Sequence, residues 1–311
     1  MRVIITGGAG FIGSHLTDLF LEGGHDVMVY DNLSGGRKEF IPLGNTKLQL
    51  LEADILDSAQ IEKAVNEFNP DLVYHLAAIH FIPTCENDPV SALRINVEGS
   101  QNVFMACKNK NIRVVFTSTG AIYDPTYDAE LTEDSEVDTK DIYGLTKHTA
   151  ESLAEYHVMK GFGSISIARL FNAVGRRETN PHLIPAIMEQ LSKGDLKVEL
   201  GNLYPRRDYI HVEDIAEGLY SMRSIISEES PIVVNIGSGI EHSVGDLVKL
   251  FSEVIGKKIE IMQVASRMRK NDRPGQLAGI GKLNKLTGWK PKRNLRIAIE
   301  EIWQELLNTQ N

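Results

Sequence analysis

Tyr143-Gly144-Leu145-Thr146-Lys147 sets a phenol and a primary amine four residues apart. On a helix that spacing brings two side chains to one face, a turn from each other. A tyrosine with an ordinary pKa near 10 is a poor base at neutral pH. Lowering it by about three units takes roughly 4 kcal/mol of preferential phenolate stabilisation. An ammonium one turn away, together with a cationic ring nearby, supplies that in a partly desolvated cleft. The pair would then serve general acid–base chemistry. Taken alone, the spacing equally describes a surface pair packing by its stems, so the surrounding sequence must decide.

The N-terminal residues bear on that choice. The apolar run Val3-Ile4-Ile5 leads into Thr6-Gly7-Gly8-Ala9-Gly10-Phe11-Ile12-Gly13, which reads as strand, glycine-rich turn and helix start. Gly8, Gly10 and Gly13 satisfy G-x-G-x-x-G, for a tight turn, close approach to a pyrophosphate and close helix–strand packing. The helix start would present N–H groups and partial positive charge to the anion. Leu16, Leu19 and Phe20 give the helix an apolar face, and the next strand, Val27-Met28-Val29-Tyr30, ends in Asp31. A carboxylate about 20 residues past the glycines holds the adenosine ribose and would repel a 2′-phosphate, so the expected cofactor is NAD. Gly7, Gly10, Phe11, Ile12, Gly13, Asp31 and Asn32 are the candidate contacts.

The elements that would position these groups follow from the hydrophobic pattern. Strand-like runs recur at 2–6, 26–30, 48–51, 71–76, 112–118 and 164–170, with helical stretches between them. Several are short and continuously apolar, such as Leu72-Val73-Tyr74 and Val114-Val115-Phe116, as expected of strands covered on both faces. The alternation predicts an α/β fold with a doubly wound parallel sheet, the Rossmann arrangement. From about Asn172 the pattern changes to Pro- and Arg-bearing loops, with helical stretches at 184–193, 243–256 and 295–307. We expect a dinucleotide domain of 1–171 with about 212–236, and a smaller C-terminal α/β substrate domain of 172–211 and 237–311.

Composition excludes some functions. The chain has 311 residues, 42% hydrophobic and 24% charged, with a net charge of −9. Despite the local cluster Arg267, Arg269, Lys270 and Arg273, no long basic stripe exists, so nucleic acid is not an expected partner. No apolar run is long enough to span a membrane, and the first residues enter a strand directly, which predicts neither membrane span nor signal peptide. Cys85 and Cys107 lack C-x-x-C spacing, so no zinc site or disulfide framework is expected, and the location expected is the cytoplasm.

With the glycine motif, Asp31, the strand end Phe116-Thr117-Ser118-Thr119 and the Tyr143/Lys147 pair, the chain resembles the extended short-chain dehydrogenase/reductases. Within them it resembles the NAD-dependent epimerase/dehydratase family, particularly its UDP-glucose (UDP-galactose) 4-epimerase branch. The resemblance implies catalytic roles for Tyr143, Lys147 and Thr119, with Thr119 bonding the sugar hydroxyl being oxidised. It implies cofactor contacts at Asp54, Ile55, Leu76, Ala77, Ala78, Asn96 and Thr117. It implies substrate contacts at His80, Asn172, Arg207 and Tyr209, with Arg207 on the diphosphate. Arg273-Pro274-Gly275-Gln276 matches the family's R-P-G-D except at Gln276, whereas spacing from Gly288-Trp289 favours Arg269 and Asp272 as diphosphate and ribose contacts. His80 reads equally as a hydrogen-bonded loop histidine.

The implied reaction is 4-epimerisation of a nucleotide sugar, a UDP-hexose by preference, through a transient 4-keto sugar. Related dehydratases carry Asp-Glu where this chain has Gly120-Ala121, which disfavours 4,6-dehydration and decarboxylation. A 4-keto-sugar reductase or dehydrogenase stays open as the alternative. The family resemblance also implies a homodimer built on 92–109 (Leu93, Val97, Val103, Met105) and 145–160 (Leu153, Tyr156, Met159).

Overall fold

The computed structural model describes residues 1–126, 129–194, 196–227, 229–268 and 273–310. Five parallel strands open the chain: β1 (Arg2–Thr6), β2 (Asp26–Asp31), β3 (Leu48–Glu52), β4 (Leu72–His75) and β5 (Arg113–Thr119). Ser164–Leu170 and Ile232–Ile236 complete a seven-stranded sheet. Its order runs β3, β2, β1, β4, β5, Ser164–Leu170, Ile232–Ile236, and every pair is parallel. This is a Rossmann-type doubly wound sheet. The winding reverses between β1 and β4, and such a switch point leaves a crevice at the carboxyl ends of the strands.

Side chains alternating along each strand feed two cores. Val3, Ile5, Val27, Val29 and Tyr74 pack with Leu16 and Phe20 of helix α1 (Phe11–Glu22) and with Ile215 and Leu219 of helix Val212–Ser221. Ile4, Tyr30, Val73, Val114 and Phe116 face the other way, onto Ile61 and Val65 of α2 (Ser58–Phe68), Val103, and Ala150 and Ala154 of helix Ile142–Met159. A third core joins Ile187, Leu200, Leu247, Phe251 and Ile299. It unites helices Leu183–Ser192, Val244–Ile255 and Leu295–Gln310 beyond the sheet. The final helix buries Leu295 and Ile299 in this core and packs Ile302, Trp303 and Leu306 against it.

Between the first two cores and the third lies a small sheet. Asn172–Val174 pairs parallel with Arg206–His211, which pairs antiparallel with Glu241–Ser243. Asp208, fully buried, accepts hydrogen bonds from the N–H groups of Ser238, Gly239 and Ala278 and from the Ser238 hydroxyl. That carboxylate ties the small sheet to the loop after Ile232–Ile236, so its neighbour Arg207 is set on a fixed strand.

One buried ion pair braces the wall behind the sheet's carboxyl end. Arg169 forks onto both oxygens of Glu151, at 3.0 and 2.8 Å, and gives further bonds to the Tyr123 hydroxyl and the Glu133 carbonyl. Removing one partner of such a pair leaves an uncompensated buried charge. Arg169→Ala is expected to cost about 3–5 kcal/mol in chemical denaturation. Replacing Arg169 and Glu151 together by methionine should recover most of that loss.

Candidate active site

A cavity of about 1780 Å³ opens over the carboxyl ends of β1, β2, β4 and β5 and continues under the C-terminal segments. Its first half is the glycine turn. Gly7 takes φ +71°, and a Cβ there would stand 2.8 Å from the Ala77 nitrogen. A Cβ on Gly13 would lie 2.1 Å from the Gly7 carbonyl oxygen. The turn thus closes only with glycine at both places. Gly10 caps α1 without a side chain, so the backbone of Phe11, Ile12 and Gly13 faces the cavity bare.

The Asp31 carboxylate accepts from the Ala9 N–H at 2.9 Å and the Leu33 N–H at 2.8 Å, while also lining the cavity. Burial pushes its pKa up against those two donors. Asn32, Asp54 and Ile55 line the same end, with Asn32 donating to the Asp54 carboxylate at 2.9 Å. Leu76, Ala77 and Ala78 form the opposite lip. These residues fit a dinucleotide: a backbone anion cradle with a carboxylate at the ribose distance.

Two expected contacts are engaged by the protein itself. Asn96 does not line the cavity; it is fully buried behind it, bonding the Ile79 N–H and carbonyl and the Thr146 hydroxyl. A π-helical stretch, Arg94–Gly99, turns Asn96 toward that loop. Thr117 does line the cavity, but its hydroxyl is bonded to the His75 carbonyl at 3.0 Å. His75 is itself buried between Thr6, at 2.7 Å, and Ser100, at 2.9 Å. This relay locks β4 to β1 directly beneath the lip.

The phenol–amine pair lies at the end of β5. Asp141 caps helix Ile142–Met159 by accepting from the Gly144 N–H at 2.7 Å, which places Tyr143 in the first turn. The Tyr143 phenol lies near the Thr119 side chain, and both line the cavity. Lys147, one turn on, is 2% exposed and rests its Nζ 4.3 Å from the centre of the Phe116 ring. The two side chains therefore share a cleft, not a solvated face. The Ser118 hydroxyl beside them is buried with no hydrogen-bond partner among the described residues.

The electrostatics correct one expectation. Burial pushes the Tyr143 phenol far above its ordinary range, despite the opposing pull of the nearby Thr119 side chain. Burial also brings Lys147 from 10.5 down to about 7, with Glu151 opposing. An amine near neutrality is only partly charged at physiological pH, so Lys147 does not by itself acidify the phenol. The remaining stabilisation has to come from positive charge entering the cavity.

The other half of the cavity carries polar groups from distant segments. Asn172 donates to the Asp208 carbonyl at 3.1 Å, and Gln276 lies beside it. Arg207 and Tyr209 line the wall, with Arg207 fixed by the carbonyls of Arg206 and Arg273. Arg269 and Asp272 lie outside the described residues. Arg273, set aside on spacing, instead lines the cavity and bonds the carbonyls of Gly120 and Ala121. Asp124 is a local turn cap, accepting from the Thr126 N–H and hydroxyl at 2.8 Å. His80 is both of the things weighed for it, a cavity residue and a hydrogen-bonded one, with Asn180 as partner at 3.0 Å.

Sequence reading missed Glu178, Asn180, His182 and Arg273 as cavity residues. The one signal available was Glu178 and His182 four residues apart in a polar loop directly after the Asn172 segment.

The model of the "NAD dependent epimerase/dehydratase family" matches residues 3–237. The chain belongs to this family. It is 29% identical to the UDP-glucose 4-epimerase of Bacillus subtilis, over 98% of this chain and 96% of that protein. It is 28% identical to the GDP-6-deoxy-D-talose 4-dehydrogenase of Aggregatibacter actinomycetemcomitans, over 99% of this chain and 98% of that one. Among solved structures, the UDP-glucose 4-epimerase of Thermotoga maritima with UDP-glucose superposes with a TM-score of 0.91. That match has 26% identity and covers 100% of both chains. Among the described residues, no helix of this family member is long and apolar enough to cross a membrane.

Two outcomes test the site. Gly13→Ala should abolish dinucleotide binding while leaving the far-UV circular dichroism intact, as measured by fluorescence titration with NADH. The second concerns pH. Above about 7 the folded chain has shed the Lys147 proton that the unfolded chain still holds, so stability rises with pH. Thermal melts from about pH 7 to 9 should show that rise in the cofactor-free protein and its loss in Lys147→Met. Parallel curves for the two proteins would refute the buried, neutral lysine.

Proposed function

We propose that this protein is an NAD-dependent nucleotide-sugar 4-epimerase acting on a UDP-hexose through a transient 4-keto sugar. The observation that carries this reading is the convergence of Tyr143 and Thr119 on the cavity at the end of β5, with Lys147 buried one turn behind and the dinucleotide cradle in the same cavity. When bound, NAD takes up and returns the hydride of sugar C4. The glycine turn, Asp31, Asn32, Asp54, Ile55 and the Leu76–Ala78 lip hold it, with Asn96 supporting the lip from behind.

The remaining steps belong to the chain's own side chains. Thr119 orients the sugar 4-hydroxyl toward Tyr143, and Tyr143 removes its proton and later restores it. Lys147 and the Phe116 ring keep the phenol's surroundings dry and the helix start in place. Arg207 and Asn172, with Arg269, anchor the nucleotide diphosphate, a guanidinium fork matching phosphate oxygens well, while Asp272 takes the ribose and Tyr209 a further substrate contact. The volume of about 1780 Å³ accommodates dinucleotide and nucleotide sugar together and leaves the 4-keto sugar room to turn its other face.

A net oxidation or reduction at C4 is the second reading, favoured by the likeness to the 4-dehydrogenase. Measured turnover separates the two. Incubation with UDP-glucose or UDP-galactose should interconvert the two sugars without net change in absorbance of reduced nicotinamide, whereas stoichiometric NAD(P)H formation or consumption would exclude epimerisation. Tyr143→Phe should lower kcat by about 10²–10⁴-fold with a near-native melt.

A homodimer and a cytoplasmic location belong to the same proposal. Leu93, Met105, Tyr156 and Met159 are exposed on neighbouring helices and supply an apolar surface for pairing. Val103, expected on that surface, is instead fully buried in the chain's own core. Equilibrium sedimentation should give twice the chain mass, and Met159→Glu should shift it toward monomer.

A further inference from the structure

Two loops far apart in sequence bring three metal-ligating side chains into the cavity wall, and neither the phenol–amine pair nor the dinucleotide cradle uses them. They are His80, after β4, and Glu178 and His182, in the loop before helix Leu183–Ser192. One donor atom from each lies within 4.8 Å of the others. The His80 and His182 rings stack at 5.9 Å, and Phe81 packs edge-on against His182 at 5.2 Å.

The local bonding presents these donors in ligand form. His80 receives the Asn180 amide at Nε2, at 3.0 Å. An imidazole that accepts at Nε2 carries its lone pair on that atom, the form in which a histidine ligates a metal once the amide gives way. Glu178 is held by the Asn180 N–H at 3.0 Å. The preceding residue, Arg177, adopts φ +70°, a conformation uncommon outside glycine, and is pinned to Asp18 of α1 at 2.9 Å. That anchored turn is what brings Glu178 back into the cavity.

We propose that His80, Glu178 and His182 form a binding site for a divalent first-row metal cation in the sugar half of the cavity. Two imidazoles and one carboxylate suit zinc and its neighbours, and three protein ligands leave coordination positions open. Bonds of about 2.0–2.2 Å need donors about 3.5 Å apart, so the cluster contracts on binding and the cation displaces the Asn180 amide from His80. The open positions face the cavity, where a hydroxyl or carboxylate of a sugar completes the shell. Metal binding by the free protein does not rest on the reaction proposed above.

The test is isothermal titration of the dialysed full-length protein with Zn²⁺, followed by elemental analysis after gel filtration. One Zn²⁺ per chain is expected. His80→Ala, His182→Ala and Glu178→Gln should each weaken binding by about 100-fold or more, beyond the loss typical of an outer-sphere partner. His25→Ala, outside the cavity lining, should bind as the parent does. Co²⁺ in place of Zn²⁺ should give visible d–d absorption that the same three variants lose while retaining NADH binding, which reports an intact cradle. Failure of the parent to take up one equivalent, or unchanged affinity in the double variant His80→Ala/His182→Ala, overturns the site.

Discussion

Burial of the Lys147 amine against the Phe116 ring is the constraint from which the reacting centre is measured. A lysine taken out of water sheds charge, so its placement carries a free-energy cost that the surrounding packing must offset. In return the first turn of helix Ile142–Met159 is set against the end of β5. Asp141 closes that turn from outside, and Thr119 meets the phenol from within. The helix cannot slide along β5 without stranding the amine. The spacing between hydroxyl, phenol and amine is therefore a property of the fold, independent of any bound molecule.

The same economy operates at the opposite wall. Thr6 of β1, His75 of β4 and Ser100 form one buried hydrogen-bonded relay, and Ser100 in turn bonds the Asn96 carbonyl at 2.6 Å. Asn96 then holds Ile79 by both its backbone groups. The lip Leu76–Ala78 is in this way suspended between a strand behind and a helix above. Gly7 lies so close beneath it that only a missing side chain permits the approach. Polar groups buried in satisfied networks of this kind fix geometry more than they add stability.

The phenol itself illustrates how a site can be built incomplete. Burial moves Tyr143 and Lys147 each toward its neutral form, so the protein alone holds a protonated phenol beside a half-charged amine. Base strength is then available only when positive charge joins them in the cavity. A cation in the cradle would act on the phenol through electrostatics alone, with no moving part required.

Much of this was legible in the sequence, because its signals are local. The glycine turn, Asp31 and the six strand-like runs each occupy a few contiguous residues, and periodicity and turn chemistry act at that range. The Tyr143/Lys147 pair was legible for the same reason, being one helical turn. Asn96 was misplaced because a π-helical stretch turns it away from the cavity, and no residue pattern announces that. Arg273 was passed over because counting along the chain cannot show which arginine reaches the Ala121 carbonyl from 152 residues away. Thus the sequence by itself determined the sheet and the class of cofactor, and it singled out Tyr143 and Lys147 as a pair one helical turn apart. Tertiary structure alone decided the charge state of that pair and the meeting of His80 with Glu178 and His182. Burial and long-range contact arise from the packing of segments remote in sequence, and a one-dimensional pattern carries no distances between them.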